Sequence, residues 1–233
     1  MQGVAEVVPV SSSAHLALLP WLLGWDPPAD RTGFSAALHA GSCLGIAAVI
    51  GRPDRRTAAL VAATSVPAAV AGLLAADRVE ARLGRPPQLA ALLAGAGALL
   101  WAADRWSPRD QQVGVREAAL AAAAQIAALA PGVSRSGATL TALRLAGVDR
   151  AAAQRFSMLM SLPVTAGAAG LTLSRSRTLT PQVVVGAGTA AVSSAVAVVV
   201  LARRGGDSAS VPALYRLALA AIVARRLHRK GPA

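Results

Sequence analysis

The sequence is poor in cysteine and in aromatic residues, and it has few acidic residues to balance its basic ones. Its one cysteine, Cys43, lies in an apolar segment, so no internal disulfide can form, and we interpret it as a packing residue. Aromatic residues make up 3% of the chain, and the net charge of +12 comes from arginines spread over many short loops. Proteins that bind nucleic acid cluster their basic residues. We therefore predict no nucleic acid partner and assign these arginines to lipid headgroups.

Long apolar runs dominate the rest of the chain. Apolar residues form 55% of the sequence, and they gather in blocks of roughly 15 to 22 residues, about the length that crosses a hydrocarbon core. A soluble helical domain would show polar faces at the helical period, whereas residues 182–202 and 211–224 are apolar nearly all round. We predict an all-α polytopic membrane protein, embedded in the lipid bilayer, with apolar blocks near residues 2–23, 34–51, 57–76, 88–103, 116–130, 134–147, 153–173, 182–202 and 211–224.

Two polar motifs interrupt the apolar pattern and resemble one another. VSSSAHL begins at Val10 and VSRSGATL begins at Val133, and the second motif joins two short apolar blocks, 116–130 and 134–147. Two short helices that meet at a polar turn favour a re-entrant hairpin. Because three candidate spans follow each hairpin, the second half would be inverted relative to the first. We predict one domain over residues 1–233 with two inverted repeats, each a re-entrant helical hairpin plus three transmembrane helices, over about 1–115 and 116–233.

The first hairpin combines an acid with hydroxyl groups and an imidazole. Gln2 and Glu6 are four residues apart and share a helix face, and Pro9 ends that helix. The residues that follow are Ser11, Ser12, Ser13 and His15. Placing a carboxylate within a membrane has a high free-energy cost, so Glu6 indicates a functional site. The main alternative is a structural ion pair.

The second hairpin carries the groups that bind anions. Arg135 has a planar fork of donors suited to phosphate oxygens, while Gly132 and Gly137 let main-chain groups approach an anion. A helix starts at the same place, with its positive dipole end toward the turn. Glu6 and Arg135 could be simple counter-ions, but such a pair does not require the accompanying serines and histidine. We predict a phosphate site shared by the two hairpins.

Both motifs resemble signatures of a known family. QGVAEVVPVSSSAH and PGVSRSGAT are similar to those of the bacitracin-resistance type of undecaprenyl-diphosphate phosphatase, an integral membrane enzyme of bacterial cell-wall lipid recycling. Weaker matches at FSAALHAGS, RFSMLMSLP and YRLALAA extend the likeness over nearly the whole chain. The resemblance implies the same two-repeat fold. It also implies hydrolysis of the terminal phosphate of a C55 polyprenyl diphosphate, with a divalent cation, Mg²⁺ or Ca²⁺, as cofactor, and resistance to bacitracin.

The resemblance also implies roles for individual residues. Glu6 with Gln2 would hold the metal or activate a nucleophile, and Ser12 would be that nucleophile or a close phosphate contact. His15 would handle a proton, and Arg135 would clamp the diphosphate. Substrate-binding hydroxyl groups would come from Ser11, Ser13, Ser134, Ser136 and Thr139.

Three further polar residues and the start of the chain need separate interpretation. Arg216 would be either another phosphate contact or a structural residue. We interpret His39 as a satisfied core polar group and His228 as a solvated residue of the basic tail. Because family members carry a further apolar segment before the first motif, we expect the helix that enters this hairpin to be incomplete.

The chief alternative function is transport of a polyprenyl phosphate, because inverted repeats with broken helices are a transporter architecture. A second class of lipid phosphatase, with the pattern Ser-Arg-x5-His-x3-Asp, does not fit, since Thr141 and Leu145 occupy the two later positions. The balance of basic residues leaves membrane orientation open. The resemblance suggests a bacterial plasma membrane protein with a site open to the outer face, and a homodimer is possible.

Overall fold

The structure is a computed structural model that describes residues 1–26, 30–107, 110–175, 180–203 and 208–230. These residues form ten α-helices and no β-strand. The helices are α1 (Gln2–Val7), α2 (Ser12–Leu23), α3 (Arg31–Val49), α4 (Arg55–Leu83), α5 (Pro86–Trp106), α6 (Val115–Ala127), α7 (Arg135–Leu145), α8 (Arg150–Arg175), α9 (Pro181–Arg203) and α10 (Ser210–Lys230).

Four of these helices are long and apolar enough to cross a membrane, namely α3, α4, α5 and α9. Helices α8 and α10 have 26 and 21 residues, which is also long enough at 1.5 Å per residue. Large apolar side chains project outward from the spans, as Leu73 and Leu74 do on α4 and Val184 and Val185 do on α9. The predicted all-α polytopic membrane protein is confirmed.

The order of elements matches the pattern that the sequence predicts for the two halves. A pair of short helices, α1 and α2, precedes α3, α4 and α5, and a second short pair, α6 and α7, precedes α8, α9 and α10. Helix α6, the first of the second short pair, begins at Val115, and the division of the chain into two repeats near this residue stays a prediction. Inversion of one half relative to the other stays a prediction.

Glycines allow the two halves to pack closely against each other. Gly41 and Gly45 on α3 face α9, where a Cβ atom at either position would overlap the main chain of Ala187 or Ala191. Gly3 on α1 lies equally close to the main chain at Ala190. Small residues permit this approach of helix backbones, and close packing is the main force between helices in a membrane. Helix α9 of the second half therefore supports both α1 and α3 of the first half.

A second core joins α2, α5 and α10. Its buried side chains include Leu18 from α2, Leu89 and Leu93 from α5, and Leu219 and Val223 from α10. This core places α10 beside the first hairpin, although the two elements are about 200 residues apart in the sequence, as the separation of His15 and Tyr215 shows.

A buried carboxylate connects the ends of several helices. Asp104 on α5 accepts hydrogen bonds from Arg150 Nε at 2.6 Å, Arg144 Nε at 3.2 Å and the backbone N–H of Ala209 at 3.0 Å. Arg144 also donates to the carbonyl oxygen of Val148. A buried charge needs such partners. This network fixes α5, α7, α8 and the start of α10 relative to one another.

Two helices continue beyond the predicted apolar blocks. Helix α4 runs through the charged stretch DRVEARL to Leu83, and α10 runs to Lys230. The apolar block marks only the part of a helix that meets the hydrocarbon core, whereas the backbone hydrogen bonds continue where charged side chains are exposed. Gly84 follows α4, and its N–H donates to the carbonyl oxygen of Glu80.

Candidate active site

Both hairpins turn at a serine whose φ angle is positive. Ser11 has φ of 72° and Ser134 has φ of 71°, a conformation that is uncommon for residues other than glycine. Each hydroxyl accepts a hydrogen bond from a backbone N–H three residues later, at Ala14 over 3.4 Å and at Gly137 over 3.2 Å. These serines are thus the N-caps of α2 and α7. The two motifs that resemble one another in sequence have the same local geometry.

The residues that follow the two caps meet at one carboxylate. Arg135 Nη2 donates to Glu6 Oε1 at 2.6 Å, and Ser12 Oγ donates to Glu6 Oε2 at 2.9 Å. The side chain of Glu6 is 6% exposed and that of Arg135 is 16% exposed. Desolvation offsets much of the attraction in such a pair, so stability alone is a poor reason to place it there. The structure brings together the acid and serine of the first hairpin and the arginine of the second.

Gln2 and His39 complete the surroundings of this carboxylate. Gln2 Nε2 donates to Glu6 Oε2 at 3.3 Å, and His39 Nδ1 lies 3.3 Å from the same oxygen and 3.0 Å from Gln2 Nε2. Gln2 Oε1 is buried and has no hydrogen-bond partner. The sequence predicts a core position for His39, whereas its side chain is 28% exposed and its polar partners are Gln2 and Glu6 of the site. The sequence feature that could have indicated its place in the site is its position in FSAALHAGS, one of the weaker family matches.

A cavity of about 720 Å³ opens beside these groups. Its polar lining includes Glu6, Ser12, Ser13, His39, Ser134, Arg135 and Ser136. Its apolar lining includes Leu16, Pro20, Phe34, Val164 and Ala168. The lining also includes Arg31 and Glu80, and a ligand with an anionic head and an apolar tail matches a cavity with both polar and apolar lining. Helices α2 and α7 both begin at the polar end, so their N–H groups and positive dipole ends favour an anion there.

Several predicted site residues form the frame behind the cavity. Thr139 is fully buried, and its hydroxyl donates to the carbonyl oxygen of Arg135 at 2.9 Å and lies 2.6 Å from Ser157 Oγ. Ser11 is also buried, with its hydroxyl 3.3 Å from that of Ser13. Ser157 lies in RFSMLMSLP, one of the weaker family matches, but only the packing of α8 against α7 shows that it contacts Thr139.

His15 and Arg216 are absent from the cavity lining. His15 Nδ1 lies 2.7 Å from the carbonyl oxygen of Ser11, and its Nε2 lies 2.7 Å from the hydroxyl of Tyr215. Arg216 is fully buried, and its Nη2 donates to the carbonyl oxygens of Gly132 and Val133 at 3.0 and 2.7 Å. Of the two roles considered for Arg216, this geometry favours the structural one. His228 is exposed on α10, in agreement with its interpretation as solvated.

A metal ion at this site would need ligands from more than the protein. No group of three or more His, Cys, Asp or Glu side chains that could hold a metal occurs among the described residues. The nearby oxygens are the carboxylate of Glu6, the Ser12 hydroxyl and the unpartnered Oε1 of Gln2, although Gln2 does not line the cavity and directs Nε2 toward Glu6. This donor set fits Mg²⁺, which usually takes one or two protein oxygens and completes its coordination with water and substrate phosphate.

Comparison with known proteins identifies the family. The family model described as bacitracin resistance protein BacA matches residues 1–222. The chain belongs to this family. An undecaprenyl-diphosphatase of Gemmatimonas aurantiaca is 39% identical, with 96% of this chain and 93% of that protein aligned. Undecaprenyl-diphosphatases of Pelobacter propionicus and Geobacter metallireducens are 42% and 40% identical over 72% of this chain and 70% and 71% of their own lengths. The predicted family is confirmed.

Proposed function

We propose that this protein is an undecaprenyl-diphosphatase, which hydrolyses undecaprenyl diphosphate to undecaprenyl phosphate and inorganic phosphate. The observation that carries the proposal is the convergence of Glu6, Ser12 and Arg135 at the polar end of a cavity with an apolar wall. Similar proteins named undecaprenyl-diphosphatase support it, as does membership of a family described by bacitracin resistance. The reaction would recycle the lipid carrier of cell-wall synthesis and would confer bacitracin resistance.

Arg135 and the two helix ends would bind the diphosphate and stabilise the charge that develops during the reaction. A guanidinium can contact two oxygens of a phosphate group at once. Its Nη2 contacts Glu6 and its Nη1 contacts the carbonyl oxygen of Ser157 in this structure, and the side chain also lines the cavity, where its remaining N–H hydrogens would contact a phosphate oxygen. Fixed donors of this kind act on phosphoryl transfer chiefly through position and electrostatics.

Glu6 would act as the base, because it already accepts a hydrogen bond from the Ser12 hydroxyl. In a covalent route, Ser12 Oγ attacks the terminal phosphorus, its proton passes to Glu6, and the bond from phosphorus to the bridging oxygen breaks to release prenyl monophosphate. Water then hydrolyses the phosphoserine to release phosphate. In a direct route, Glu6 takes the proton from an attacking water that Ser12 orients. The hydroxyl is essential only to the first route.

A divalent cation would be held by Glu6, by Oε1 of Gln2 and by the substrate phosphates. Bound there, Mg²⁺ or Ca²⁺ would neutralise phosphate charge as a Lewis acid. The unpartnered amide oxygen of Gln2 supports this assignment. Because residue 2 is a glutamine, its amide oxygen would take the place of a second carboxylate ligand.

The apolar wall of the cavity would hold the first part of the prenyl chain. Leu16 and Pro20 from α2, Phe34 from α3, and Val164 and Ala168 from α8 supply this surface.

We propose that the protein lies in the bacterial plasma membrane with the cavity open to the outer face. A homodimer stays a prediction, which the molar mass of the detergent-solubilised protein would test.

The decisive experiment measures phosphate release by purified protein from C55 and shorter prenyl diphosphates, with and without a chelator. We expect release that the chelator abolishes and that added Mg²⁺ or Ca²⁺ restores. If reconstituted vesicles moved a prenyl phosphate across the bilayer and no phosphate were released from any diphosphate, the protein would be a transporter instead.

A further inference from the structure

Two neighbouring residues of α10 reach the turns of both hairpins. Tyr215 Oη lies 2.7 Å from His15 Nε2, and the opposite nitrogen of that imidazole contacts the Ser11 carbonyl oxygen at 2.7 Å. Arg216 Nη2 donates to the carbonyl oxygens of Gly132 and Val133, directly before the second cap. Helix α10 thus contacts the main chain of the second turn directly through Arg216, and Tyr215 contacts that of the first turn only by way of His15.

The contacts of His15 define its hydrogen-bonding state. A carbonyl oxygen can only accept, so the Nδ1 atom that faces Ser11 must carry the hydrogen. In the neutral ring Nε2 then has a lone pair, and the Tyr215 hydroxyl donates to it. The two rings are also stacked, with centroids 5.5 Å apart and planes 6° apart. Both nitrogens are occupied and the ring is buried, so this histidine has no free atom directed at a ligand.

The path of Arg216 is similarly constrained. Its side chain passes between Gly97 on α5 and Gly137 on α7, where an added Cβ atom would lie 3.2 Å from Arg216 Cβ and 2.7 Å from Arg216 Nη1, respectively. The guanidinium is fully buried. A side chain in such a channel holds the carbonyl groups that it contacts in one position.

We infer that Tyr215 and Arg216 are positioning residues that fix the two hairpin turns, with Tyr215 acting through His15. Ser12 follows the turn that Tyr215 fixes, and Arg135 follows the turn that contains the carbonyls bound by Arg216. The two caps have unfavourable φ angles, which persist only where surrounding contacts hold them. We call the contacts that Tyr215, through His15, and Arg216 make with the two turns the clamp. The clamp therefore sets the positions of Ser12 and Arg135 relative to Glu6. It assigns to His15 a positioning role in place of the proton-handling role implied by the family resemblance.

The clamp rests on the proposed phosphatase activity, so wild-type phosphate release is measured first. Its absence would contradict the activity and not the clamp. Tyr215→Phe removes one hydroxyl and keeps the ring that stacks on His15. We expect turnover to fall about tenfold, which corresponds to the loss of one hydrogen bond in the clamp. We expect KM and the shape of the pH profile to stay unchanged, since the substrate contacts remain.

Variants of His15 separate positioning from proton transfer. His15→Asn retains an N–H close to the place of Nδ1, whereas His15→Leu does not. We expect His15→Asn to retain at least tenfold more activity than His15→Leu, because asparagine keeps the donor to the Ser11 carbonyl and loses only the contact with Tyr215. Equal inactivation of both variants, or loss of one limb of the pH profile in Tyr215→Phe, would overturn the positioning role.

Nitrogen NMR provides a readout independent of activity. The chain has three histidines, so ¹⁵N-histidine labelling gives few signals. We expect the His15 signals to show the tautomer with hydrogen on Nδ1 in the wild type and a mixture of tautomers in Tyr215→Phe. The other tautomer in the wild-type protein would contradict the proposed contacts.

Arg226 provides a matched control for the second arm of the clamp. It lies on the same helix and donates from Nη1 to the carbonyl oxygen of Leu22 at 2.5 Å, away from either turn. We expect Arg226→Met to leave turnover per folded molecule unchanged and Arg216→Met to lower it about tenfold or more. If Arg216→Met does not fold, Tyr215→Phe and the NMR comparison still decide. Wild-type turnover in folded Tyr215→Phe and Arg216→Met would refute the clamp.

Discussion

Replacement of Arg135 by lysine tests the centre of the proposed mechanism. The guanidinium donates to Glu6 Oε1 at 2.6 Å and to the carbonyl oxygen of Ser157 at 3.5 Å, and it lines the cavity. It can therefore hold Glu6 and a phosphate oxygen at the same time through different nitrogens. An ammonium group keeps the charge but presents its donors from one atom, so it cannot span both partners in this planar arrangement.

The size of the effect follows from the contact that is lost. A hydrogen bond between charged groups contributes about 1.5–3 kcal/mol, and a loss of about 2.7 kcal/mol in the transition state is about a hundredfold in rate. Lysine still neutralises Glu6, so we expect Arg135→Lys to fold with a Tm close to that of the wild type. Alanine would be less informative, because it would leave a buried carboxylate without its cation.

The assay is phosphate release from C55 diphosphate by detergent-solubilised protein, with the folded fraction measured by size-exclusion chromatography. Arg155→Lys is the matched control, because Arg155 lies on α8 outside the cavity and donates from Nη1 to the carbonyl oxygen of Ile50. We expect full activity from the control and a loss of about a hundredfold from Arg135→Lys. Turnover of Arg135→Lys within threefold of the wild type would refute the assigned role.

Three further substitutions test the base, the nucleophile and the packing of the two halves. Glu6→Gln should reduce phosphate release more than Gln2→Ala, because only Glu6 brings charge and basicity; equal losses would show that neither residue is a base. Ser12→Ala should reduce turnover about a hundredfold on the covalent route and less than tenfold if water attacks. Acid-quenched protein carrying labelled phosphate on Ser12 would establish the former. Gly45→Ala should lower the Tm, at a cost of about 1–3 kcal/mol, while Gly188→Ala on α9, with open space around it, should not.

The helices could be predicted because their signal is local. The lengths of the apolar blocks and the polar residues that separate them can be read from neighbouring positions. Each predicted block corresponds to a helix or a helix pair. The extension of α4 to Leu83 could not be predicted from hydropathy, since a helix that leaves the hydrocarbon core keeps its backbone hydrogen bonds while its side chains become charged.

The centre of the site and part of its frame, Ser11 and Thr139, could be anticipated from the motifs, while the contacts of Ser157 and Tyr215 could not. Glu6 and Arg135 are 129 positions apart, and the similarity of the two hairpins suggested that they meet. Tyr215 and Ser157 reach the site only through the rotation of α10 and α8 about their own axes. Side-chain packing sets that rotation, for instance at Gly97 where Arg216 passes, and no local pattern encodes it.

The distance between Glu6 and Arg135 depends on elements far from either residue. Helix α1 has six residues, too few to be stable by itself, so Glu6 stands where packing on α9 and α3 holds that helix. Gly3 lets α1 lie against the main chain of α9 at Ala190, where an added Cβ atom would overlap the Ala190 carbonyl oxygen. Arg135 stands where Arg216 holds the preceding turn. The acid of the first half is thus positioned largely by a helix of the second half, and neither hairpin alone contains both charges. The two halves must therefore pack against each other before any site for a diphosphate exists, so the small residues between α3 and α9 contribute to the site although they do not contact its ligand.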